Sequence, residues 1–260
     1  MLVSPGTGAS TPSTPSASAV TCGPDHKVSL YLARHGKTML NTVDLSQGWI
    51  DAPLTPVGIE GAEALGRGIK DVPFDAAYSS DSGRAIETAG LVLTEAGQSG
   101  LIAKLVQDKR LREYNFGTFE GKPNDEMVKE ALDALGTPVD MTTNYADVIK
   151  PIADQLAKLD AAKVEPGVNW PAETYDAVAT RAKEGLDSIA ADAAKKCQSN
   201  VLIVSHGMTI TTIAAELGAK DKIPAGGPKN SSVTLLSYSG GNFTVESFGD
   251  TSYLEKGQNK

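Results

Sequence analysis

From Lys27 onward, short apolar runs alternate with longer stretches of helical character. Val28–Ala33 is a run of apolar and β-forming residues, and Val201–Ser205 is an apolar run of the kind that forms a strand buried on both faces. Phe74–Ser79, Ala103–Val106, Val233–Tyr238 and Phe243–Phe248 carry weaker strand patterns. Between them, Thr55–Lys70, Arg84–Ala96, Glu173–Lys195 and Thr209–Leu217 predict helices, the first opened by Thr55 as N-cap and Pro56 at the first helical position. This alternation implies an α/β fold, a three-layer α/β/α sandwich around a mostly parallel sheet, spanning residues 25–260. Pro123–Val168 departs from the pattern. It predicts two helices, Asn124–Leu135 and Tyr145–Leu159, and no strand, and so reads as a helical insertion over the sheet edge.

Composition narrows the function classes. The chain has 260 residues, and 24 Lys plus Arg against 32 Asp plus Glu give a net charge of −8. That balance argues against nucleic acid as a partner, because phosphate backbones require a cationic surplus. No apolar run approaches the ~20 residues that cross a bilayer as a helix. Two cysteines without a CxxC pair exclude a zinc finger or a disulfide-dense miniprotein.

The start of the chain points to its compartment. Met1–Val20 is uncharged, and 13 of its 20 residues are Ser, Thr, Pro or Gly. Such a segment buries too little apolar area to offset its ordering entropy, so residues 1–24 are expected to be a disordered tail. The tail lacks the basic start and apolar stretch of a signal peptide. Ser/Thr/Pro-rich stretches often follow a removed export signal or lipid anchor, so a secreted or cell-envelope protein is expected, with the cytoplasm as the alternative. Cys22 and Cys197 each precede a strong strand pattern by a few residues. If those strands are parallel neighbours, the two thiols meet at their N-terminal ends and a disulfide closes a loop of about 175 residues.

The same two strands deliver the candidate chemistry. One ends in Arg34-His35-Gly36 and the other in Ser205-His206-Gly207, so two of only three histidines stand at strand carboxyl ends, each followed by glycine. Open α/β sheets bind ligands at that edge, and glycine lets the backbone approach them closely.

Five separated elements make the chain resemble the histidine phosphatase superfamily, the phosphoglycerate mutase-like family, and in particular its phosphatase branch. Arg34-His35-Gly36 is similar to the RHG motif, with Thr38 and Asn41 at positions usual for phosphate and substrate contacts. The segment Gln47–Thr55, which contains Gln47-Gly48, resembles the glycine-rich loop. Tyr78–Ala89 resembles the segment supplying a second arginine, Arg84. Leu111-Arg112-Glu113 with Phe116–Gly121 resembles the segment supplying the acid, and Ser205-His206-Gly207 closes the set.

The resemblance implies a small phosphorylated substrate and a site that needs neither cofactor nor metal. His35 is the implied nucleophile, its second nitrogen tied to a backbone carbonyl. Arg34 and Arg84 supply planar cationic donors for bidentate phosphate contact. His206, as an imidazolium, donates to the phosphoryl oxygens, and Glu113 is the general acid and base, with Glu120 as its rival. Thr38, Asn41, Gln47 and Gly48 are the substrate-binding candidates; capping of the following helix is the competing role for Thr38 and Asn41. Lys122 could reach a substrate anion, and Trp49, Trp170 and Tyr114 could wall the pocket, with solvent and core packing as their ordinary fates. The reading requires both imidazoles and both guanidinium groups to converge on one oxyanion.

Three functions stay open. A phosphomonoester hydrolase leads, because Pro123–Val168 carries only Lys129, Lys150, Lys158 and Lys163 as cations, whereas mutases of the family carry extra basic residues there. A cofactor-dependent phosphoglycerate mutase and a non-catalytic phosphate-ligand binding module are the alternatives. Oligomeric state and natural substrate are not legible.

Overall fold

Strand β1 (Val28–Arg34) is the clearest consequence of the sequence pattern. Its alternate residues Val28, Leu30 and Leu32 enter one apolar layer with Val201 and Ile203, while Tyr31 and Ala33 enter another with Leu202 and Val204. A strand apolar on both sides must be covered on both sides, and it is. The computed structural model describes residues 22–23, 26–136, 138–140 and 142–259; the tail expected over 1–24 lies, apart from Cys22 and Gly23, outside the described residues.

Six strands form one sheet in the order β3-β2-β4-β1-β5-β6. They are β1, β2 (Ala76–Ser79), β3 (Val106–Gln107), β4 (Asn200–Ser205), β5 (Val233–Ser239) and β6 (Asn242–Asp250). The neighbours β3, β2, β4 and β1 run parallel, and β5 runs antiparallel to both its neighbours, β1 and β6. Helices α1 (Met39–Thr42), α2 (Pro56–Ile69), α3 (Gly83–Glu95), α4 (Asn124–Leu135), α5 (Tyr145–Ala161), α6 (Tyr175–Lys195), α7 (Gly207–Glu216) and α8 (Ser252–Gln258) complete the chain. Residues of α6 and α7 cover one face, and those of α2 and α3 the other. This is the expected three-layer arrangement with a mostly parallel sheet. Among the described residues no helix is long and apolar enough to cross a membrane.

Local signals hold where they are strongest. Thr55 caps α2 by accepting the Gly58 N–H at 3.1 Å, with Pro56 first in the helix. Gly58 also has to be glycine, because a Cβ there would collide with the Lys37 backbone beside the Arg34–Gly36 turn.

The weak edge strand departs from expectation. Ser99–Lys104 coils as a 3₁₀ helix, Leu101 and Leu105 pack beneath α3, and only Val106 and Gln107 pair with β2. A two-residue edge strand contributes little ladder energy, so packing of the leucines decides the backbone. The insertion forms α4 and α5, and packs with Tyr114, Phe116, Phe119 and Tyr175 into a third apolar cluster.

Cys22 and Cys197 are joined, with Cα atoms 5.6 Å apart across a sequence separation of 175. They meet where β1 and β4 begin, since Ser29 pairs with Asn200 in the parallel register. A cross-link closing so long a loop stabilises chiefly by restricting the unfolded chain. Replacing both cysteines by serine is expected to cost about 2–5 kcal/mol and lower the melting temperature on the order of 10 °C. Thermal denaturation under non-reducing conditions checks this, and an unchanged melting temperature counts against the bridge.

Candidate active site

Register brings the candidates together. Arg34 pairs with Ser205 across β1 and β4, and the His35 N–H donates to the Ser205 carbonyl at 3.0 Å. The next residues, His35 and His206, therefore leave the sheet side by side, with ring centroids 5.2 Å apart. On the other side of β4, Ser80 follows β2 and its N–H donates to Val204, which places Arg84 in the first turn of α3 against His206. Beyond β3 the chain reaches Glu113. Four adjacent parallel strands thus deliver all five candidates from their carboxyl ends.

His35 is buried, and its Nδ1–H donates to the Gly36 carbonyl at 2.8 Å. Nε2 is left with a lone pair. Burial, and then the charges of Arg84 and Arg34, hold its pKa well below 6.5. Arg34 gives Nη1 to the Pro228 carbonyl at 2.7 Å, and its buried Nε has no protein partner. Gln47 is equally informative. Its Oε1 accepts the Thr38 hydroxyl at 2.6 Å, so Nε2 is fixed in the opposite direction, buried and without a partner. Both side chains line one cavity of about 290 Å³ together with His35, Asn41 and Glu113. Two unpartnered buried N–H donors beside a free imidazole lone pair describe an anion site that the protein does not fill by itself.

Three expectations need correction. Thr38 does not face the cavity; it caps α1, accepting the Asn41 N–H while its own proton goes to Gln47. It therefore orients Gln47, which does line the cavity. Gly48 is held from both ends, its N–H on Glu120 and its carbonyl on Arg84 at 2.8 Å. A Cβ at Gly48 would collide with the Tyr114 carbonyl, so glycine allows this close packing, and Gly48 lines the cavity that Arg84 and His206 border. His206 is not an imidazolium. Arg84 Nε–H donates to its Nδ1 at 3.2 Å, a contact that requires a lone pair there, and burial followed by the Arg84 charge keeps its pKa well below 6.5. The hydrogen on Nε2 is its remaining donor, with a long contact of 3.5 Å to Ser82 Oγ.

Arg84 also differs from expectation. Its remaining bonds go to the Ile50 carbonyl, Asp51 and the Gly48 carbonyl. At most one N–H stays free, so bidentate phosphate contact is not available in this arrangement. Arg84 and His206 accordingly line a second, adjoining cavity of about 310 Å³, with Trp49, Trp170 and Arg112 at its wall. The four groups meet, but they straddle two cavities where a single one was expected. Glu113 lines both.

The acid segment is defined by its partners. Glu113 Oε1 accepts from the Tyr114 and Thr209 N–H groups and the Thr209 hydroxyl, whereas Oε2 accepts only the Met208 N–H, at 3.0 Å. The carboxylate thus sits on the N-terminus of α7, with Oε2 carrying a single hydrogen bond among the described residues. Glu120 is spent on structure, accepting four backbone N–H groups, from Gly48, Trp49, Ile50 and Phe116. Asn41 does cap, accepting the Thr38 N–H on Oδ1, yet it also lines the first cavity. Lys122 turns to Glu130, and Tyr114 is buried with its hydroxyl 2.7 Å from Thr212.

Two contributors were not legible in the sequence. Arg181 on α6 donates to the carbonyls of Arg110, Arg112 and Glu113 and forks onto Glu173, so it clamps the backbone that carries the acid. Tyr145, the first residue of α5, lines the first cavity; burial and then the Glu113 charge push its phenol up to about 12, so it stays protonated.

The buried imidazoles set an acid limit on stability. Unfolded histidines protonate near pH 6.5 while these folded ones resist. Below that pH the unfolded state binds more protons, so their contribution is full above 6.5 and declines on acidification toward the lowered folded values. Urea midpoints should fall from pH 7.5 to pH 5, and less steeply in a His206→Asn variant; a flat profile contradicts this.

Comparison with known proteins follows the same lines. The family model described as the histidine phosphatase superfamily (branch 1) matches residues 30–148 and 140–251. A crystal structure of a phosphoglycerate mutase from Bacillus anthracis str. Sterne is similar at 44% identity with a TM-score of 0.80, covering 90% of this chain and 98% of that one. The YhfR structure of Bacillus stearothermophilus is 31% identical with a TM-score of 0.64, covering 87% and 99%. A 2,3-bisphosphoglycerate-dependent phosphoglycerate mutase of Allorhizobium ampelinum is 39% identical over 99 residues, a match spanning 37% of this chain and 46% of that protein.

Proposed function

This chain belongs to the histidine phosphatase superfamily, and from that premise we propose that it hydrolyses small phosphomonoesters through a phosphohistidine on His35. The observation that carries the reading is the free Nε2 of His35 beside the unpartnered N–H groups of Arg34 and Gln47. In the first step His35 Nε2 forms a bond to phosphorus as the bond to the alcohol oxygen breaks, and Glu113 passes a proton from Oε2 to that oxygen. In the second, water attacks phosphorus, the P–N bond breaks, and Glu113 accepts the proton. Arg34 and Gln47 Nε2 hold the phosphoryl oxygens within the His35 cavity, and His206 and Arg84 act on them from the adjoining one, Arg84 through its fixed charge.

Hydrolysis is favoured over phosphoryl exchange by the cations. Lys129, Lys150 and Lys163 of the insertion pair with surface carboxylates, Lys158 is exposed, and among the described residues Arg34 is the one cation lining the His35 cavity, Arg84 and Arg112 lining the adjoining one. A phosphoglycerate carboxylate would find no second cation there. The mutase reading is favoured instead by the likeness to the Bacillus anthracis mutase. Phosphate release from simple monoesters, measured beside interconversion of 3- and 2-phosphoglycerate, separates the two; interconversion faster than release overturns our reading. The Cys22–Cys197 bridge supports a place of work outside the reducing cytosol.

A further inference from the structure

The cavity that opens beside His35 is chemically lopsided. His35, Arg34, Gln47 and Glu113 form its reacting cluster; most of the other side chains in its wall are hydrocarbon, including Leu45, Phe116, Met127, Ile149, Ile152 and Leu156. Apart from the reacting cluster, among the described residues Asn41, Asn124 and Tyr145 bring polar side chains to it. Phe116, Met127, Ile149, Ile152 and Leu156 are each at most 5% exposed, so this wall is built from the third apolar cluster. The alcohol of a phosphorylated ligand departs on the side opposite the attacking nitrogen, and the lining that this cavity offers beyond the reacting cluster is mainly apolar.

We infer that this chamber holds the alcohol moiety of the substrate, and that this moiety is an uncharged hydrocarbon body, alkyl or aryl, without a second anionic group. The inference rests on the phosphomonoesterase reading for the reaction it serves. The chamber falls close to the size of small-ligand pockets, and its lining follows their pattern of apolar walls with a few polar groups. A carboxylate or a second phosphate placed against Ile149 and Ile152 would lose its water without gaining a cation. A sugar would bring more hydroxyls than Asn41, Asn124 and Tyr145 can satisfy, leaving the others against hydrocarbon.

Alkylphosphonates from methyl to hexyl, bound to the whole protein and followed by calorimetry, test the inference. Each added methylene is expected to tighten binding about two- to fourfold. A terminal carboxylate on the hexyl-length compound should weaken binding about tenfold or more against its uncharged counterpart. An Ile149→Phe variant, shown by circular dichroism to be folded, should lose the chain-length gain. A flat series, a preference for the carboxylated compound, or a gain that persists in that variant overturns the inference. Turnover of p-nitrophenyl phosphate reports the reaction separately. Turnover with a flat series rejects the apolar chamber alone, whereas a graded series without turnover rejects hydrolysis and keeps the chamber.

Discussion

Replacing His35 by alanine is expected to reduce phosphomonoester hydrolysis on the order of 10⁴-fold or more while leaving the fold intact. The imidazole is the one unprotonated nitrogen that shares a cavity with the free donors of Arg34 and Gln47, and removal of a covalent nucleophile acts on this scale. Water would have to replace a group that burial and two neighbouring guanidinium charges keep neutral. The same environment carries the activity into acid. Protonation of His35 removes the lone pair, and its lowered pKa puts that loss well below pH 6.5. A variant retaining more than about one hundredth of the activity is incompatible with His35 as nucleophile.

The second large effect concerns Glu113, and its size depends on the leaving group. A Glu113→Gln variant keeps the shape but cannot pass a proton, so hydrolysis of alkyl phosphates should fall about 10²–10⁴-fold. p-Nitrophenyl phosphate, whose leaving group needs no proton, should lose much less, about tenfold or under. The amide also disturbs the N-terminus of α7, where Glu113 accepts from Met208 and Thr209. The ratio of the two substrates within one variant cancels any loss of folded protein. Equal losses on both would assign Glu113 a purely structural place.

The sheet and the ends of its strands were legible because burial on both faces demands uninterrupted apolar runs, and His35 and His206 follow two such runs directly. Neighbouring parallel strands then required the histidines, and the cysteines at the opposite edge, to be adjacent. The less legible features depend on where a side chain spends its hydrogen bonds. Thr38 and Gly48 sit in the right loops, but one gives its proton to Gln47 and the other has both backbone groups taken. Arg84 reads as a phosphate fork in sequence, yet the folded loop 48–51 consumes its donors. Arg181 reads as an ordinary helix-face cation, because its carbonyl partners lie about seventy residues away. The edge strand failed for a related reason: leucine packing outweighed a pairing only two residues long.

Rapid mixing with a phosphomonoester, quenching in base, and mass spectrometry of the digested chain tests the nucleophile most directly. The expected product is one acid-labile phosphoryl group per chain, on the imidazole of His35. Steady hydrolysis with no such adduct, or an adduct on another side chain, contradicts the account.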